Sequence, residues 1–288
     1  MSEKLVLIDG HSILNRAFYG VPDLSNSEGL HTNAIYGFLN ILFKLLEEEK
    51  PEYLTVAFDV KAPTFRHEMY PEYKGTRKPM PQELHEQVPV MKQVLHAMGI
   101  RTMEQPGLEA DDILGTLAKR AEKEGMDVSL VSGDRDLLQI ASDKIKIRIP
   151  KTKGARTEVE DYYAADVEAK YGVTPAGFIE LKALMGDTAD NIPGVPKVGE
   201  KTASELLKQF QELDDAVKKT QEQLTEIGES GQKALAELGT DLKGEMADKK
   251  SELEGILEEL EKNLQGTAKE NMEYIESRFS SMELLTKA

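Results

Sequence analysis

The sequence predicts an α/β fold: a mostly parallel central sheet flanked by helices, with a helical C-terminal subdomain. Three observations carry this. Short β-branched runs alternate with longer segments of helical period through the first two-thirds of the chain, the pattern of strands joined by crossover helices. Each of those runs is followed almost at once by aspartate. Beyond residue 210 the composition turns to Glu, Lys, Gln and Leu, with apolar residues roughly every three to four positions.

In chain order, residues 5–8, 54–58 and 128–131 read as buried strands, and 31–49, 83–98 and 110–124 as amphipathic helices. Residues 66–81 are rich in Pro, Tyr and positive charge without a sustained period and read as an exposed, semi-ordered loop. Residues 178–185 and 200–210 read as helices joined by a tight Gly/Pro turn. The tail, 211–288, reads as two or more amphipathic helices broken near its glycines, with no stable heptad register and no internal repeat.

Composition excludes several classes. The chain has no cysteine, so disulfides, thiolate zinc sites and a cysteine nucleophile are ruled out. The first apolar run, Leu5 to Ile8, is too short for a signal peptide, and no charge-free stretch is long enough to span a bilayer. A soluble cytoplasmic protein, a monomer with no membrane partner, is the expectation. The net charge of −16 argues against nucleic acid only as an average. Residues 211–288 hold 10 Lys/Arg against 19 Asp/Glu, which leaves 26 against 33 for residues 1–210. The tail therefore carries most of the excess.

The chemistry is in the carboxylates. Asp9, Asp59, Asp134 and Asp136 follow predicted strands, where open α/β sheets bind ligands. Glu109, Asp111 and Asp112 open a predicted helix, and Asp187 and Asp190 precede the Gly/Pro turn. Helix capping explains any one of them alone. Nine together exceed what capping uses. Residues three apart share a helix face, so Glu109 with Asp112 and Asp187 with Asp190 can aim at a common point. Converging carboxylates repel one another unless cations neutralise them. All-oxygen ligation selects Mg²⁺, with Mn²⁺ able to substitute, over zinc. Two such ions, roughly 3.5–4 Å apart, are the usual solution for phosphodiester hydrolysis. Without these nine, residues 1–210 hold 24 acidic and 26 basic side chains, so the surface facing DNA need not be acidic.

Five blocks then carry a resemblance: VLIDGHS at 6–12, YKGTRKP at 73–79, GLEADD at 107–112, VSGDRD at 131–136 and GDTADNIPGVPKVGEKTA at 186–203. In this order, over residues 4 to 210, the chain resembles the 5′-nuclease (5′-3′ exonuclease and flap endonuclease) domain of bacterial DNA polymerase I. The resemblance implies a PIN-like metal-dependent nuclease core at 1–175, with a helical arch at about 66–98 that passes a single-stranded 5′ end. It also implies a helical DNA-binding subdomain at 176–288, with a helix-hairpin-helix at about 178–210 and an atypical acidic tail at 211–288. All nine carboxylates match the family's two-metal ligands. Lys74 and Arg77 match residues that stabilise charge at the scissile phosphate. Tyr73 matches a base-stacking position, and Lys78 extends this basic segment. Arg16 matches a phosphate contact. Gly194, Lys197, Gly199, Lys201 and Thr202 match the hairpin, which grips duplex backbone without reading sequence and holds a K⁺ ion. The family more often has Gly where Lys197 stands.

The function so implied is a structure-specific 5′ nuclease, hydrolysing DNA phosphodiesters at 5′ ends and 5′ flaps in primer removal and repair. RNA of RNA–DNA hybrids is a further substrate. The acidic tail would repel DNA and suits a protein partner. An acidic-core ribonuclease and a non-catalytic branched-DNA binding module are the alternatives. The hairpin segment discriminates against the first and the complete carboxylate set against the second. No Ser-His-Asp arrangement, P-loop or dinucleotide fingerprint is present.

Overall fold

The computed structural model describes residues 3–153 and 156–286. β1 (Lys4–Asp9) leads into α1 (Gly10–Gly20) and α2 (Asn33–Glu49). Next come β2 (Tyr53–Ala57), α3 (Phe65–Met69), α4 (Gln82–Ala97) and β3 (Arg101–Met103). They are followed by α5 (Ala110–Lys123), β4 (Asp127–Val131), a 3₁₀ turn (Asp136–Ile140), β5 (Ile145–Lys153) and β6 (Arg156–Tyr162). The chain continues through α6 (Ala164–Tyr171), α7 (Gly177–Met185), the short strands β7 (Gly186–Asp187) and β8 (Ile192–Pro193), and α8 (Glu200–Thr286).

The sheet runs β3-β2-β1-β4-β5-β6, parallel throughout except that β6 pairs antiparallel with β5. The expected mixed sheet is therefore present, with three strands more than the periodicity indicated. β3 is only three residues long and leaves no period to detect. β5 opens with Ile145, Ile147 and Ile149 buried on one side and lysine or arginine between them, an alternation the sequence does carry.

Strand alternation builds two cores. Val6 and Ile8 of β1 point into a layer with Phe38, Leu42, Leu84, Met91 and Leu95 from α2 and α4. Leu7 points the other way, into a layer with Ile113, Leu114, Ala118 and Leu130, which α5 covers. The expected arch span thus contains a core helix, α4, while residues 70–81 form turns and coil.

By contact the chain divides into two units, Met1–Glu212 and Leu213–Ala288. The second consists, among the described residues, of the continuation of α8; residues 287 and 288 of the expected tail lie outside them. The expected breaks near the glycines do not occur: α8 is one helix of 87 residues. Its glycines, Gly228 to Gly266, are absent from the positive-φ residues, and the last proline is Pro196. A helical glycine costs only about 1 kcal/mol relative to alanine, too little to end a helix that Ala, Leu, Glu, Lys and Gln favour on both sides. Beyond Glu212 its apolar residues are exposed, Leu235 to 71 % and Leu264 to 75 %. Among the described residues no helix is long and apolar enough to cross a membrane.

The amino ends of the strands meet a buried charge. Glu49, at the end of α2, accepts from Lys4 Nζ (2.9 Å), Lys146 Nζ (2.8 Å) and Ser129 Oγ (2.9 Å), and pairs with Arg148. Burial pushes its carboxyl up, but the bonds from Lys146, Lys4 and Ser129 outweigh this and hold it at about 2. Glu49→Ala leaves these cations without their shared partner and should lower stability by about 3–5 kcal/mol, read from the urea midpoint. Because the folded value lies below the ordinary 4.5, this stabilisation is complete above that pH and is lost as pH falls toward 2. Glu49→Gln should flatten the acid limb of the stability profile measured by denaturant titration.

Candidate active site

The strand order reverses direction of growth between β1 and β4, and at such a switch point the loops leaving two neighbouring strands diverge and open a crevice. Here the crevice is a cavity of about 460 Å³. Eight of the nine predicted carboxylates line it: Asp9, Asp59, Glu109, Asp111, Asp134, Asp136, Asp187 and Asp190. Asp112 does not.

Local chemistry aims these groups. Asp9 ends β1 and caps α1, accepting from Ser12 N–H (3.0 Å) and, across the switch point, from Ser132 Oγ (2.8 Å). Ser12 Oγ accepts from Gly133 N–H (2.7 Å), tying the two loops together. Asp59 accepts from the N–H of Ala110 at the start of α5 (2.7 Å), and its own N–H donates to His11 Nδ1 (3.1 Å). Asp187 Oδ1 accepts from Ala189 and Asp190 N–H (2.7 and 3.1 Å). Capping and convergence are therefore the same arrangement, because a carboxylate has two oxygens and a cap uses one.

Fixed cations offset the repulsion. Lys182 of α7 bridges Asp136 (2.9 Å) and Asp187 (2.5 Å). Lys74 holds Glu109 (2.8 Å), Arg77 pairs with Asp190, and Arg66 forks onto both oxygens of Asp112 (2.8 and 2.7 Å). That fork explains why Asp112 is turned from the cavity. Burial raises its carboxyl, but Arg66 and the Glu109 N–H outweigh burial and hold it below the usual range. Lys182 was not singled out by the sequence; its only signal is a lysine one helical turn before an acidic turn. Ser12, Ser132 and Arg135 were likewise unmarked.

The basic loop folds inward at one residue. Tyr73 is buried, 6 % exposed, and its hydroxyl donates to Glu109 and Asp190 (3.0 Å each), so its ring is not presented to solvent as the exposed-loop expectation required. Lys78 is exposed, and Arg16 lies on α1 outside the cavity lining.

Three carboxyls lack full compensation, Asp136 among them, which burial raises in spite of its bond from Lys182. Burial, opposed by the bonds from Ser12 and Ser132, pushes Asp9 up to about 6. Burial and the charges of Asp112 and Glu109 push Asp111 up to about 7. Asp111 Oδ1 is buried with no hydrogen-bond partner. An orphaned carboxylate oxygen in a cavity whose acidic donors are all oxygen fits a hard divalent cation. Among the described residues, however, no three Asp, Glu or His side chains stand close enough to close on one ion. Glu109 and Asp190 are drawn instead to Lys74 and Arg77, and Asp136 and Asp187 to the shared Lys182.

The predicted helix, Gly/Pro turn, helix is present as α7, the β7/β8 ladder and α8. Gly194 is explained by packing: a Cβ there would meet the Met185 carbonyl at 2.1 Å, and one on Gly186 would meet the Gly194 nitrogen at 2.2 Å. Gly199 faces open space and, with exposed Lys201 and Thr202, presents the N-terminus of α8. Lys197 is exposed with φ +67°, a left-handed conformation that glycine adopts freely.

Known proteins resemble most of this chain. The family model for the 5′-3′ exonuclease N-terminal resolvase-like domain matches residues 4–172, and that for the 5′-3′ exonuclease C-terminal SAM fold matches 173–247. DNA polymerase I of Bacillus subtilis (strain 168) is 52 % identical over 225 residues, 78 % of this chain and 25 % of that protein. DNA polymerase I of Bacillus caldotenax is 53 % identical over 210 residues, 73 % of this chain and 24 % of that protein. The chain thus spans about a quarter of the length of these relatives. Among solved structures, a bacteriophage T5 flap endonuclease pseudo-enzyme–product complex with DNA and metal ions is similar at TM-score 0.59 and 26 % identity, covering 72 % of this chain and 75 % of that one. A T5 5′-exonuclease with bound zinc is similar at TM-score 0.58 and 26 % identity, covering 72 % and 76 %. These likenesses support divalent-metal chemistry in general.

Three measurements check this region. Mg²⁺ should raise the thermal midpoint of the wild type relative to EDTA, since a ligand bound only by the folded state stabilises it, by about 2.7 kcal/mol at 100 times Kd. Asp111→Asn should melt higher than wild type in EDTA, through loss of a buried unpaired charge, and respond less to Mg²⁺. Lys197→Gly should raise stability by roughly 0.5–1 kcal/mol, the left-handed penalty less glycine's entropy, seen in denaturant melts.

Proposed function

The chain is an enzyme of the 5′-3′ exonuclease and flap endonuclease family, and from that membership we propose that it cuts DNA phosphodiesters at 5′ ends and 5′ flaps, leaving 5′-phosphates. The observation that carries this reading is the single cavity at the strand switch point, lined by eight carboxylates with Lys74 and Arg77 among them. RNA in RNA–DNA hybrids is a second substrate, and primer removal and repair in the cytoplasm are the setting. The core is PIN-like, a reading supported by acidic side chains at the carboxyl ends of parallel strands. It occupies residues 1–175, and residues 176–288 form the DNA-binding subdomain.

Asp9, Asp59, Glu109, Asp111, Asp134, Asp136, Asp187 and Asp190 would hold two Mg²⁺, or Mn²⁺, while Asp112, expected among them, stays on Arg66. The metals, when bound, supply Lewis-acid stabilisation of charge on the phosphate. The protein's own contribution is positional and electrostatic. Lys74 and Arg77, now paired with Glu109 and Asp190, exchange those carboxylates for the scissile phosphate, where a fixed positive charge stabilises the transition state without proton transfer. The 5′ single strand passes the arch segment, about 66–98, with Tyr73 and Lys78 at its base, and Arg16 contacts phosphate. Gly194, Lys197, Gly199, Lys201 and Thr202 grip the duplex backbone and seat K⁺, supported by the open N-terminus of α8. The enzyme acts as a monomer, and its acidic tail meets a protein partner rather than DNA.

A 5′-flap duplex assay tests the reading. Wild type should cleave with Mg²⁺ and not with EDTA, and Asp134→Ala should bind but not cut. Lys74→Ala and Arg77→Ala should each lower kcat about 10²–10³-fold, the scale for removing one group that stabilises transition-state charge. Undiminished cutting by Asp134→Ala would remove these carboxylates from the mechanism.

A further inference from the structure

The turn carrying Lys74 and Arg77 is held by a distant part of the chain. Asn191 Nδ2 donates to the Glu72 carbonyl (2.9 Å). Lys74 N–H donates to the Asp190 carbonyl (2.9 Å), and Arg77 Nε donates to the Ala189 carbonyl (3.1 Å). Segments 112 to 119 positions apart in sequence are thereby stitched by one main-chain bond and two side-chain to main-chain bonds. Lys74 (φ +56°) and Asn191 (φ +59°) both take the left-handed conformation at the seam, which asparagine tolerates better than most side chains.

These bonds differ in what substrate does to them. The lysine and arginine head groups must leave Glu109 and Asp190 to meet a phosphate, and Arg77 Nε leaves Ala189 with its guanidinium. The Asn191 carboxamide uses no charge and touches neither head group, so its bond persists while the ion pairs exchange.

We propose that Asn191 is a positioning residue that keeps the 72–77 turn beside the acidic cavity while Lys74 and Arg77 transfer from carboxylate to phosphate. This rests on the nuclease reading above. Asn191→Gly keeps the backbone conformation and removes only the side-chain donor. Asn191→Asp keeps size and left-handed tolerance but turns an acceptor toward the Glu72 carbonyl.

The test is a double-mutant cycle with Lys74→Ala on a 5′-flap duplex in Mg²⁺, together with flap-duplex binding in EDTA and thermal melts. For both Asn191 variants kcat should fall about 10-fold or more, since a displacement near 1 Å can cost 10²-fold, while binding changes less than about twofold and the melting midpoint stays near wild type. In the Lys74→Ala background the same substitutions should lower kcat by clearly less than in the wild type, because the share of their effect that runs through Lys74 is already gone and only the share through Arg77 remains. Full kcat in both Asn191 variants, or losses that multiply with Lys74→Ala, would overturn the proposal. An inactive wild type would overturn the nuclease reading itself, which keeps the two failures distinct.

Discussion

Like charge gathered at one end of a sheet is the constraint around which this molecule is arranged. Eight carboxylates share a cavity of about 460 Å³, and in a partly desolvated space each raises the cost of ionising the next. The chain meets that cost in two ways. Backbone N–H groups at the starts of α1 and α5 and in the turn after α7 bind single oxygens of Asp9, Asp59 and Asp187. Lysines and arginines bind Glu109, Asp112, Asp136, Asp187 and Asp190. What remains uncompensated is greatest at Asp9 and Asp111, whose carboxyls are pushed up to about 6 and 7, and burial also raises Asp136 in spite of Lys182. A divalent cation would relieve that residual most directly.

The two ends of the sheet treat charge in opposite ways. At the amino ends a buried Glu49 is surrounded by Lys4, Lys146 and Arg148, and Glu48 and Asp161 complete a closed group in which cations and anions balance. At the carboxyl ends the anions outnumber the cations, and the cations come from elements outside the sheet: Lys74 and Arg77 from the turn after α3, and Lys182 from α7. A closed group rigidifies. An open one, with cations on a turn and an excess of carboxylate, can exchange partners when a metal or a phosphate arrives.

The long helix follows a different rule. α8 begins with Ala203 fully buried against the core, and Met1–Glu212 ends soon after. From Leu213 onward local propensity alone maintains the helix, through good helix formers and i,i+4 pairs such as Asp214–Lys218. Glycines that serve as turns when φ is positive, as at Gly186, are simply tolerated here.

Much of this was legible in the residues. Three strands, their crossover helices and the turn between α7 and α8 follow from local period and turn chemistry, which involve residues a few positions apart. The carboxylate inventory follows too, since an aspartate just past a strand must lie at its carboxyl end. The sequence did not reveal which cation sits on which carboxylate, why Asp112 turns from the cavity, that Tyr73 is buried rather than exposed, or that Lys182 bridges two acidic loops. Those contacts join residues as much as 117 positions apart, and no local pattern encodes such a pairing. They exist only because the parallel strand order brings separate loops to one edge, where burial and charge then select among partners that the chain's linear order keeps apart.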